Sequence, residues 1–345
     1  MKKLITLLIC SLLISSSFAK LPTFPVDPYG ITVGGLSSGA FFAVQMHFAF
    51  SKTIKGAAIT AGGPYWCAQG NLGYAMSNCM SSPQLIKNDV LNKKAEELAK
   101  QGAIDPLVNL SGSRAYIYSG TLDDVVKPDV VKSLQKQYES FGVQTTTVYN
   151  VPSQHAYITK NFGNKCNFKG TPYINNCNYD MAYDSLSVLY DDLFPAVDPI
   201  ASNLIEFDQA PYIGSNYSMN SKGYVYVPTA CRQNTDICKL YVQFHGCLQT
   251  TQDIGTDYVT KLGLNGVAEA NNIIVLYPQA KASKSNPMNP NGCWDWFAYV
   301  DNFANTTKYV TKSGAQMAAV WKMVTDLVGY DPETVNIDKL DMDSI

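Results

Sequence analysis

The chain has 345 residues, with 26 basic and 28 acidic side chains and a formal net charge of −2. Its only arginines are Arg114 and Arg232, so it has no basic stripe that could neutralise phosphates, and we expect no nucleic-acid partner. With three histidines and no C-x-x-C pair, a zinc site is also disfavoured, and we expect neither a metal nor a cofactor.

The first 19 residues have the pattern of a secretory signal peptide. Two lysines precede the apolar run 4–13, and small residues lead to a predicted cleavage site after Ala19. A lipoprotein signal at Cys10 is disfavoured because the residues before that cysteine are not small. No other stretch approaches the roughly 20 apolar residues that a membrane-spanning helix needs. We therefore expect a soluble protein, exported to the periplasm or the medium, without a membrane span.

After the signal, short apolar strands alternate with helices, which predicts an α/β fold with a mostly parallel central sheet flanked by helices. The polar segment 195–222 is interpreted as a surface connection, because the same alternation resumes after it, and residues 20–330 are predicted to form one catalytic domain. The acidic tail 331–345 is predicted to be poorly ordered. The predicted strands are 30–33, 54–60, 115–118, 145–150, 223–228, 239–244 and 273–277, and the predicted helices are 40–48, 89–101, 130–141, 261–270 and 315–328.

The segment Gly35-Leu36-Ser37-Ser38-Gly39 follows the first predicted strand and precedes an apolar helix. It matches the G-x-S-x-G nucleophile elbow, in which a sharp turn exposes a serine above the sheet and the glycines allow close packing. The pattern alone is weak, because serine and glycine are common in loops. Ser37 is the candidate nucleophile if the chain also supplies a base, a carboxylate and oxyanion donors.

The candidate base is His155, which lies in a loop just after a predicted strand. His47 lies inside the apolar helix and is expected to pack there, and His245 is followed by glycine and cysteine at a strand end. Asp123 and Asp124 follow another predicted strand, which satisfies the order serine, acid, histidine of α/β-hydrolases. The sequence alone does not choose between these two carboxylates.

The oxyanion of such an enzyme is held by two backbone N–H groups, one from the residue after the nucleophile, here Ser38, and one from an HG-type loop. That loop normally precedes the serine, but here His245-Gly246-Cys247 comes late in the chain, at the end of the strand 239–244. Backbone donors depend on position in space rather than on order in the chain. A circular permutation of the strands is the simplest explanation.

Removal of the signal peptide leaves eight cysteines, an even number that suits an oxidising compartment. Eight cysteines allow 105 connectivities, so their spacing cannot prove a pairing. Closure of short loops is the economical hypothesis and leaves Cys247 and Cys293 over. The near pairs are Cys67 with Cys79, Cys166 with Cys177, and Cys231 with Cys238.

Further segments accompany the elbow: 61–65 (AGGPY) with Cys67, the loop from Ser119-Gly120 to Asp123, His155, 173–180 (YINNCNYD), 245–249 (HGCLQ) and 291–296 (NGCWDW). Together with the elbow they resemble the circularly permuted extracellular poly(3-hydroxybutyrate) depolymerases, which are single-domain α/β-hydrolases. The resemblance covers nearly the whole mature chain.

The resemblance implies a role for each candidate residue. Ser37 would be the nucleophile, Asp123 rather than Asp124 the orienting acid, and His155 the base. The N–H groups of Ser38 and Cys247 would hold the oxyanion. The resemblance also implies four disulfides, with Cys247 joined to Cys293, a bridge that would fix the oxyanion loop.

Four aromatic residues are predicted to line an ester-binding crevice, with burial in the core as the alternative: Tyr65, Trp66, Trp294 and Trp296. The resemblance also implies that the polar segment 281–290 lies at the rim of the site, where contacts vary within the family. The predicted function is that of a secreted, monomeric serine esterase, which hydrolyses poly(3-hydroxybutyrate) or short-chain polyhydroxyalkanoates and their oligomers through an acyl-enzyme. The alternatives are a small-molecule carboxylesterase with the same triad and a binding protein that has lost catalysis.

Overall fold

The computed structural model describes residues 21–304 and 306–334. The predicted signal peptide lies outside these residues. Within the described ranges, no helix is both long and apolar enough to cross a membrane.

The described residues form two sheets, with helices and short helical turns between the strands. The strands are β1 (Val26–Leu36), β2 (Gly56–Thr60), β3 (Arg114–Tyr118), β4 (Gln144–Val148), β5 (Tyr157–Thr159), β6 (Asn164–Lys165), β7 (Ile174–Asn176), β8 (Leu204–Asp208), β9 (Lys222–Tyr226), β10 (Cys238–Phe244) and β11 (Ile273–Tyr277). The helices are α1 (Ser38–Ala49), α2 (Leu72–Met76), α3 (Asn88–Lys100), α4 (Pro128–Ser140), α5 (Met181–Leu189), α6 (Thr229–Arg232), α7 (Thr251–Ile254), α8 (Asp257–Thr260), α9 (Leu264–Asn271) and α10 (Ala315–Val328).

The larger sheet has eight strands in the order β4-β3-β2-β1-β10-β11-β9-β8. The six strands from β4 to β11 run parallel, and β9 and β8 are antiparallel at one edge. The centre is apolar and buried on both faces, as expected for parallel strands that are covered by helices on each side. The predicted α/β fold with a mostly parallel sheet is confirmed; the circular permutation stays a prediction.

Strand β1 lies at the middle of this sheet, between β2 and β10. Near its end Gly35 is in register with Ile59 on one side and Phe244 on the other. The following helix α1 is buried along its entire length, because it is apolar on all sides and packs against the sheet. The residues at the end of β1 are therefore held by both neighbouring strands and by a buried helix.

The segment 195–222 differs from its prediction as a surface connection. It contains β8, which pairs antiparallel with β9 over its whole length. The prediction was wrong because β8 is an edge strand, mostly half-buried, that lies within a polar stretch and shows little apolar periodicity. The small sheet of β5, β6 and β7 was also missed, since its strands have only two or three residues each.

Residues 331–334, the described part of the predicted tail, contact the rest of the chain through Glu333. Glu333 accepts a hydrogen bond of 2.8 Å from the Thr53 hydroxyl, pairs with the Lys312 ammonium, and its carbonyl oxygen accepts a bond of 2.6 Å from Lys52. The remainder of the tail, 335–345, lies outside the described residues. That residues 20–330 form a single domain stays a prediction.

Four disulfides join the eight cysteines that follow the predicted signal peptide. Three close short loops, and the fourth joins two loops that are 46 residues apart in the chain. These are the pairs that the spacing and the family resemblance indicated: Cys67–Cys79, Cys166–Cys177, Cys231–Cys238 and Cys247–Cys293.

Candidate active site

Ser37 occupies the sharp turn between β1 and α1. Its backbone has φ 56° and ψ −121°, a conformation that a residue with a side chain rarely adopts and that persists only where its surroundings impose it. The Ser37 N–H donates to the Thr60 carbonyl at 3.0 Å, and its carbonyl accepts from the Phe41 N–H at 3.0 Å. The serine is thus fixed to both β2 and the first turn of α1.

The two glycines of the motif are required by close backbone contacts. A Cβ atom on Gly35 would lie 2.5 Å from the backbone of Gly39, and one on Gly39 would lie 2.4 Å from the carbonyl oxygens of Phe244 and His245. Any larger residue would therefore push α1 away from the ends of β1 and β10. This packing is the structural basis of the G-x-S-x-G pattern found in the sequence.

The loops after β3 and β4 bring a carboxylate and a histidine together. His155 Nδ1 lies 2.8 Å from Asp123 Oδ2, and both side chains are buried. The other oxygen, Asp123 Oδ1, accepts hydrogen bonds from the N–H groups of Val125 at 2.9 Å and Val126 at 3.0 Å. The carboxylate is therefore held in one orientation, with one oxygen directed at the imidazole.

Asp124, the alternative acid, points elsewhere. Its carboxylate is exposed and forms an ion pair of 2.8 Å with Lys169. The two neighbouring aspartates differ because the turn after β3 directs one side chain to the histidine and the other to solvent.

The other two histidines are buried and do not contact this pair. His47 lies in α1 with its side chain buried, as expected, and its Nδ1 lies 3.0 Å from the hydroxyl of Tyr138. Burial lowers the pKa of His47 to about 3 and that of His245 to about 4. Both rings are therefore neutral at physiological pH.

The loop that follows β10 lies against the nucleophile. A Cβ atom on Gly246 would be 3.4 Å from the Ser37 Cβ. The disulfide Cys247–Cys293 joins this loop to the segment that contains Trp294. The backbone N–H of Trp294 in turn donates to Ser38 Oγ at 3.3 Å. The structure thus brings the predicted oxyanion residues, Ser38 and Cys247, to the same place from opposite halves of the chain.

Ser37 and His155 open into a cleft of about 490 Å³. Its lining is largely apolar and, among the described residues, contains no Asp, Glu, Lys or Arg. The lining residues are Leu36, Ser37, Phe41, Leu72, Met76, Met80, Val125, Val126, His155, Tyr173, Gly246, Cys247, Leu248, Gln249, Met288, Asn289, Pro290, Asn291, Cys293, Trp296, Phe297, Tyr299, Asn302 and Phe303.

Of the four aromatic residues predicted to bind substrate, Trp296 lines the cleft, where its ring stacks on Phe41 with centroids 4.4 Å apart. For Tyr65 and Trp294 the prediction was wrong, because both are fully buried in the core. Trp66 also lies outside the cleft lining, and its Nε1 donates to the Thr306 carbonyl at 3.2 Å. Burial in the core, the alternative considered for these residues, describes Tyr65 and Trp294.

Several cleft residues were missed by the sequence analysis. Tyr173 and Gln249 lie within segments that carry the family resemblance, and that position was the available signal. Phe297 and Phe303 follow Trp296 closely in the chain, so an aromatic cluster after the last cysteine was a second signal. Met288 lies in the segment 281–290 that was predicted to form the rim.

The described residues contain no group of three or more His, Cys, Asp or Glu side chains that could hold a metal ion.

An elbow serine, a buried histidine–carboxylate pair and a backbone loop beside the serine, all at the carboxyl ends of parallel strands, define a class of protein. It is that of the serine hydrolases of the α/β-hydrolase type.

Known proteins show which family within that class is involved. No family model matches the chain. The poly(3-hydroxybutyrate) depolymerase of Delftia acidovorans is 42% identical over 310 residues, which cover 88% of this chain and 60% of the relative. The polyhydroxybutyrate depolymerase of Talaromyces funiculosus is 33% identical over 323 residues, which cover 89% of this chain and 92% of the relative. The chain belongs to the poly(3-hydroxybutyrate) depolymerase family.

Solved structures agree with this assignment. A PHB depolymerase with a serine-to-alanine substitution, in complex with an R3HB trimer, matches with a TM-score of 0.81 and 32% identity over 90% of this chain and 99% of that chain. The PHB depolymerase of Penicillium funiculosum matches with a TM-score of 0.80 and 31% identity over the same shares. The chain thus spans nearly all of these two structures but about 60% of the length of the Delftia relative.

Proposed function

We propose that this protein hydrolyses the ester bonds of poly(3-hydroxybutyrate), or of short-chain polyhydroxyalkanoates and their oligomers, through an acyl-enzyme on Ser37. The observation that carries the proposal is that Ser37, the His155–Asp123 pair and the Cys247 loop meet at one apolar cleft. The names of the relatives and the R3HB trimer bound to a solved neighbour support an oligoester as the ligand.

In the proposed mechanism His155 acts first as a base. Asp123 holds the proton on Nδ1, so Nε2 is free to accept the proton of the Ser37 hydroxyl as Oγ attacks the ester carbonyl carbon. The tetrahedral intermediate collapses when His155 returns that proton to the leaving 3-hydroxyl. A water molecule then attacks the acyl-enzyme by the same route, which releases the acid and regenerates Ser37.

The oxyanion donors of this mechanism are the N–H groups of Ser38 and Cys247. Ser38 is the first residue of α1, where N–H groups lack partners within the helix and the helix dipole favours negative charge. The N–H groups on either side of Cys247 are engaged, Gly246 with Gln249 Oε1 at 2.7 Å and Leu248 with the Asn291 carbonyl at 2.8 Å. Within the described residues, the Cys247 N–H between them donates to no protein acceptor.

The cleft suits a neutral aliphatic polyester. Its lining has no Asp, Glu, Lys or Arg side chain among the described residues, so it favours an uncharged chain of esters over a charged substrate. Its mouth carries exposed apolar side chains of Leu72, Met76, Met288 and Phe303. Such a rim can contact the surface of an insoluble polymer while the ester enters the cleft.

Export of the protein is part of the proposal. Four disulfides are typical of proteins that fold in an oxidising compartment, which agrees with the signal peptide predicted from the sequence. We propose that the protein acts as an exported monomer.

Two substrates test the proposal. The wild-type protein should clear a suspension of poly(3-hydroxybutyrate) granules and should hydrolyse p-nitrophenyl butyrate, and Ser37→Ala should lose both activities by several orders of magnitude. Hydrolysis of the small ester without clearing of granules would indicate a small-molecule carboxylesterase. Binding without either activity would indicate a binding protein, and turnover by a folded Ser37→Ala protein would exclude the nucleophile.

The role of the rim is tested separately. Met288→Ser should lower granule clearing by more than it lowers hydrolysis of p-nitrophenyl butyrate, because only the polymer needs the exposed surface. Val108→Ser is the matched control, since Val108 is also apolar and exposed but lies outside the cleft lining. Equal losses on the two substrates for Met288→Ser would contradict a polymer contact.

A further inference from the structure

His245 is a buried histidine that has no role in the proposed mechanism, although it directly precedes the oxyanion loop. Its ring is fully buried between the rings of Tyr258 and Trp294, with centroids at 6.1 and 5.5 Å. Both ring nitrogens contact the backbone. Nδ1 lies 2.7 Å from the Gly246 carbonyl oxygen, and Nε2 lies 3.1 Å from the backbone N of Ala280.

These two contacts determine where the proton of the ring lies. The Ala280 N–H can only donate, so Nε2 must be the unprotonated acceptor. The neutral ring then carries its proton on Nδ1, which donates to the Gly246 carbonyl oxygen. Burial lowers the pKa of His245 to about 4, and the ring therefore keeps this single proton near neutral pH.

The carbonyl that His245 holds belongs to the same peptide unit as the Cys247 N–H. A trans peptide unit is planar, and its C=O and N–H bonds point in opposite directions. A hydrogen bond that fixes the direction of the Gly246 C=O therefore also fixes the direction of the Cys247 N–H. Rotation of this peptide away from its observed orientation would break the bond to His245.

The ends of this peptide unit are held as well. The Gly246 N–H donates to Gln249 Oε1 at 2.7 Å, and Gln249 Nε2 donates to the carbonyl oxygens of Pro172 at 2.9 Å and Tyr173 at 3.1 Å. The disulfide to Cys293 holds the other side of the unit. Of these contacts, only the one from His245 acts on the carbonyl oxygen opposite the proposed oxyanion donor.

We propose that His245 is a positioning residue, which orients the Cys247 N–H towards the oxyanion by holding the carbonyl oxygen of the same peptide. This inference rests on the proposed function, since it requires a tetrahedral intermediate at Ser37. Oxyanion donors act mainly on the transition state, so a loss of orientation lowers kcat with little change in KM.

Two substitutions at this position separate the hydrogen bond from the packing of the ring. His245→Phe keeps a ring but removes both the Nδ1–H donor to Gly246 and the Nε2 acceptor of the Ala280 N–H, whereas His245→Asn restores only a donor, because its amide nitrogen lies close to the position of Nδ1. With p-nitrophenyl butyrate, His245→Phe should lower kcat by about 10- to 100-fold, which is less than the effect of removing an oxyanion donor outright, and should change KM by less than about twofold. His245→Asn should recover about tenfold of the lost kcat.

A transition-state analogue gives a readout that general loosening of the structure would not reproduce. Butylboronic acid forms a tetrahedral adduct with a serine Oγ and places an oxygen where the oxyanion forms. Its inhibition constant should rise in His245→Phe by the same factor by which kcat falls. The matched control is His47→Phe, because His47 is another buried, neutral histidine whose Nδ1 contacts the Tyr138 hydroxyl rather than the oxyanion loop, and the kcat of this variant should not change.

The inference is overturned if His245→Phe keeps the wild-type kcat, or if KM rises at unchanged kcat. If His245→Phe does not fold, the tautomer of His245 in the wild-type protein is measured from its ring ¹³C and ¹⁵N NMR shifts. The Nδ1–H form supports the inference, and the Nε2–H form overturns it. Turnover by Ser37→Ala would instead refute the proposed function, so the two failures are distinguishable.

Discussion

Replacement of Asp123 by asparagine is expected to cause a large and specific loss of activity. Asp123 Oδ1 accepts two backbone hydrogen bonds, from Val125 and Val126, while Oδ2 faces His155 Nδ1 at 2.8 Å. In the asparagine variant the amide oxygen must occupy the Oδ1 position, because only an oxygen can accept those two bonds. The amide NH₂ group then faces His155.

An NH₂ group at this position donates to Nδ1 and leaves the imidazole proton on Nε2. Because Nε2 must accept the Ser37 proton, this tautomer cannot act as the base. The expected fall in kcat is about 10⁴-fold, which corresponds to about 5 kcal/mol of transition-state stabilisation. The fold should be retained, since asparagine has nearly the same size and preserves the backbone hydrogen bonds.

The neighbouring residue provides the matched control. Asp124 is exposed and pairs with Lys169, an interaction of the kind that contributes no more than about 1 kcal/mol, so Asp124→Asn should change kcat by less than about twofold. The assay is hydrolysis of p-nitrophenyl butyrate by both folded variants, with circular dichroism to verify folding. The reasoning fails if Asp123→Asn keeps more than about a tenth of the wild-type kcat, or if the two variants lose activity to a similar degree.

Two further predictions concern side chains near the site and in the core. Ser38→Ala should retain most of the kcat, because the backbone N–H of residue 38 remains. It should lower the free energy of unfolding by about 1–3 kcal/mol, since the buried backbone N–H of Trp294 loses its acceptor. A loss of kcat as large as that of a triad variant, in a folded protein, would contradict this prediction. The free energy of unfolding should fall as the pH drops below about 6.5. The folded-state pKa values of His47 and His245 are about 3 and 4, so the unfolded chain binds protons first, and each histidine lowers the free energy of unfolding by about 1.4 kcal/mol per pH unit. Asp295 acts in the opposite direction, because burial raises its pKa to about 7 and the folded state therefore binds the proton first. Asp295→Asn removes this compensation, so the melting temperature of the variant should fall more steeply than that of the wild type between pH 7 and pH 4. An unchanged melting temperature across this range would contradict the assignment of these buried groups.

The sequence was sufficient to predict the bounds of those helices and strands whose apolar residues lie where the element contacts the core. The strand at 273–277 and the helix at 315–328 have the predicted bounds, because each is apolar where it contacts the core. Strand β8 was not predictable in the same way, since an edge strand needs only one partner and its residues need not be apolar on both faces.

For the site, the sequence indicated which residue types were present but not where their side chains point. Asp123 and Asp124 are equivalent as letters, and only the turn after β3 decides that one faces His155 and the other Lys169. Aromatic residues near the motifs were equally ambiguous. Trp294 and Trp296 are two residues apart, yet one fills the core and the other lines the cleft.

The central position of β1 has a consequence for how the protein matures. Val26 pairs with Cys238, a residue more than 200 positions later in the chain, and the packing of Gly39 depends on the backbone at the end of β10. Contacts of such long sequence separation slow folding, because a long loop must close before they form. Until β10 has paired with β1, the strand that precedes Ser37 lacks one of its two neighbours, and the oxyanion loop that follows β10 is not in place. Esterase activity should consequently arise late in folding, after both halves of the chain have come together, which makes the appearance of turnover a reporter of the completed fold.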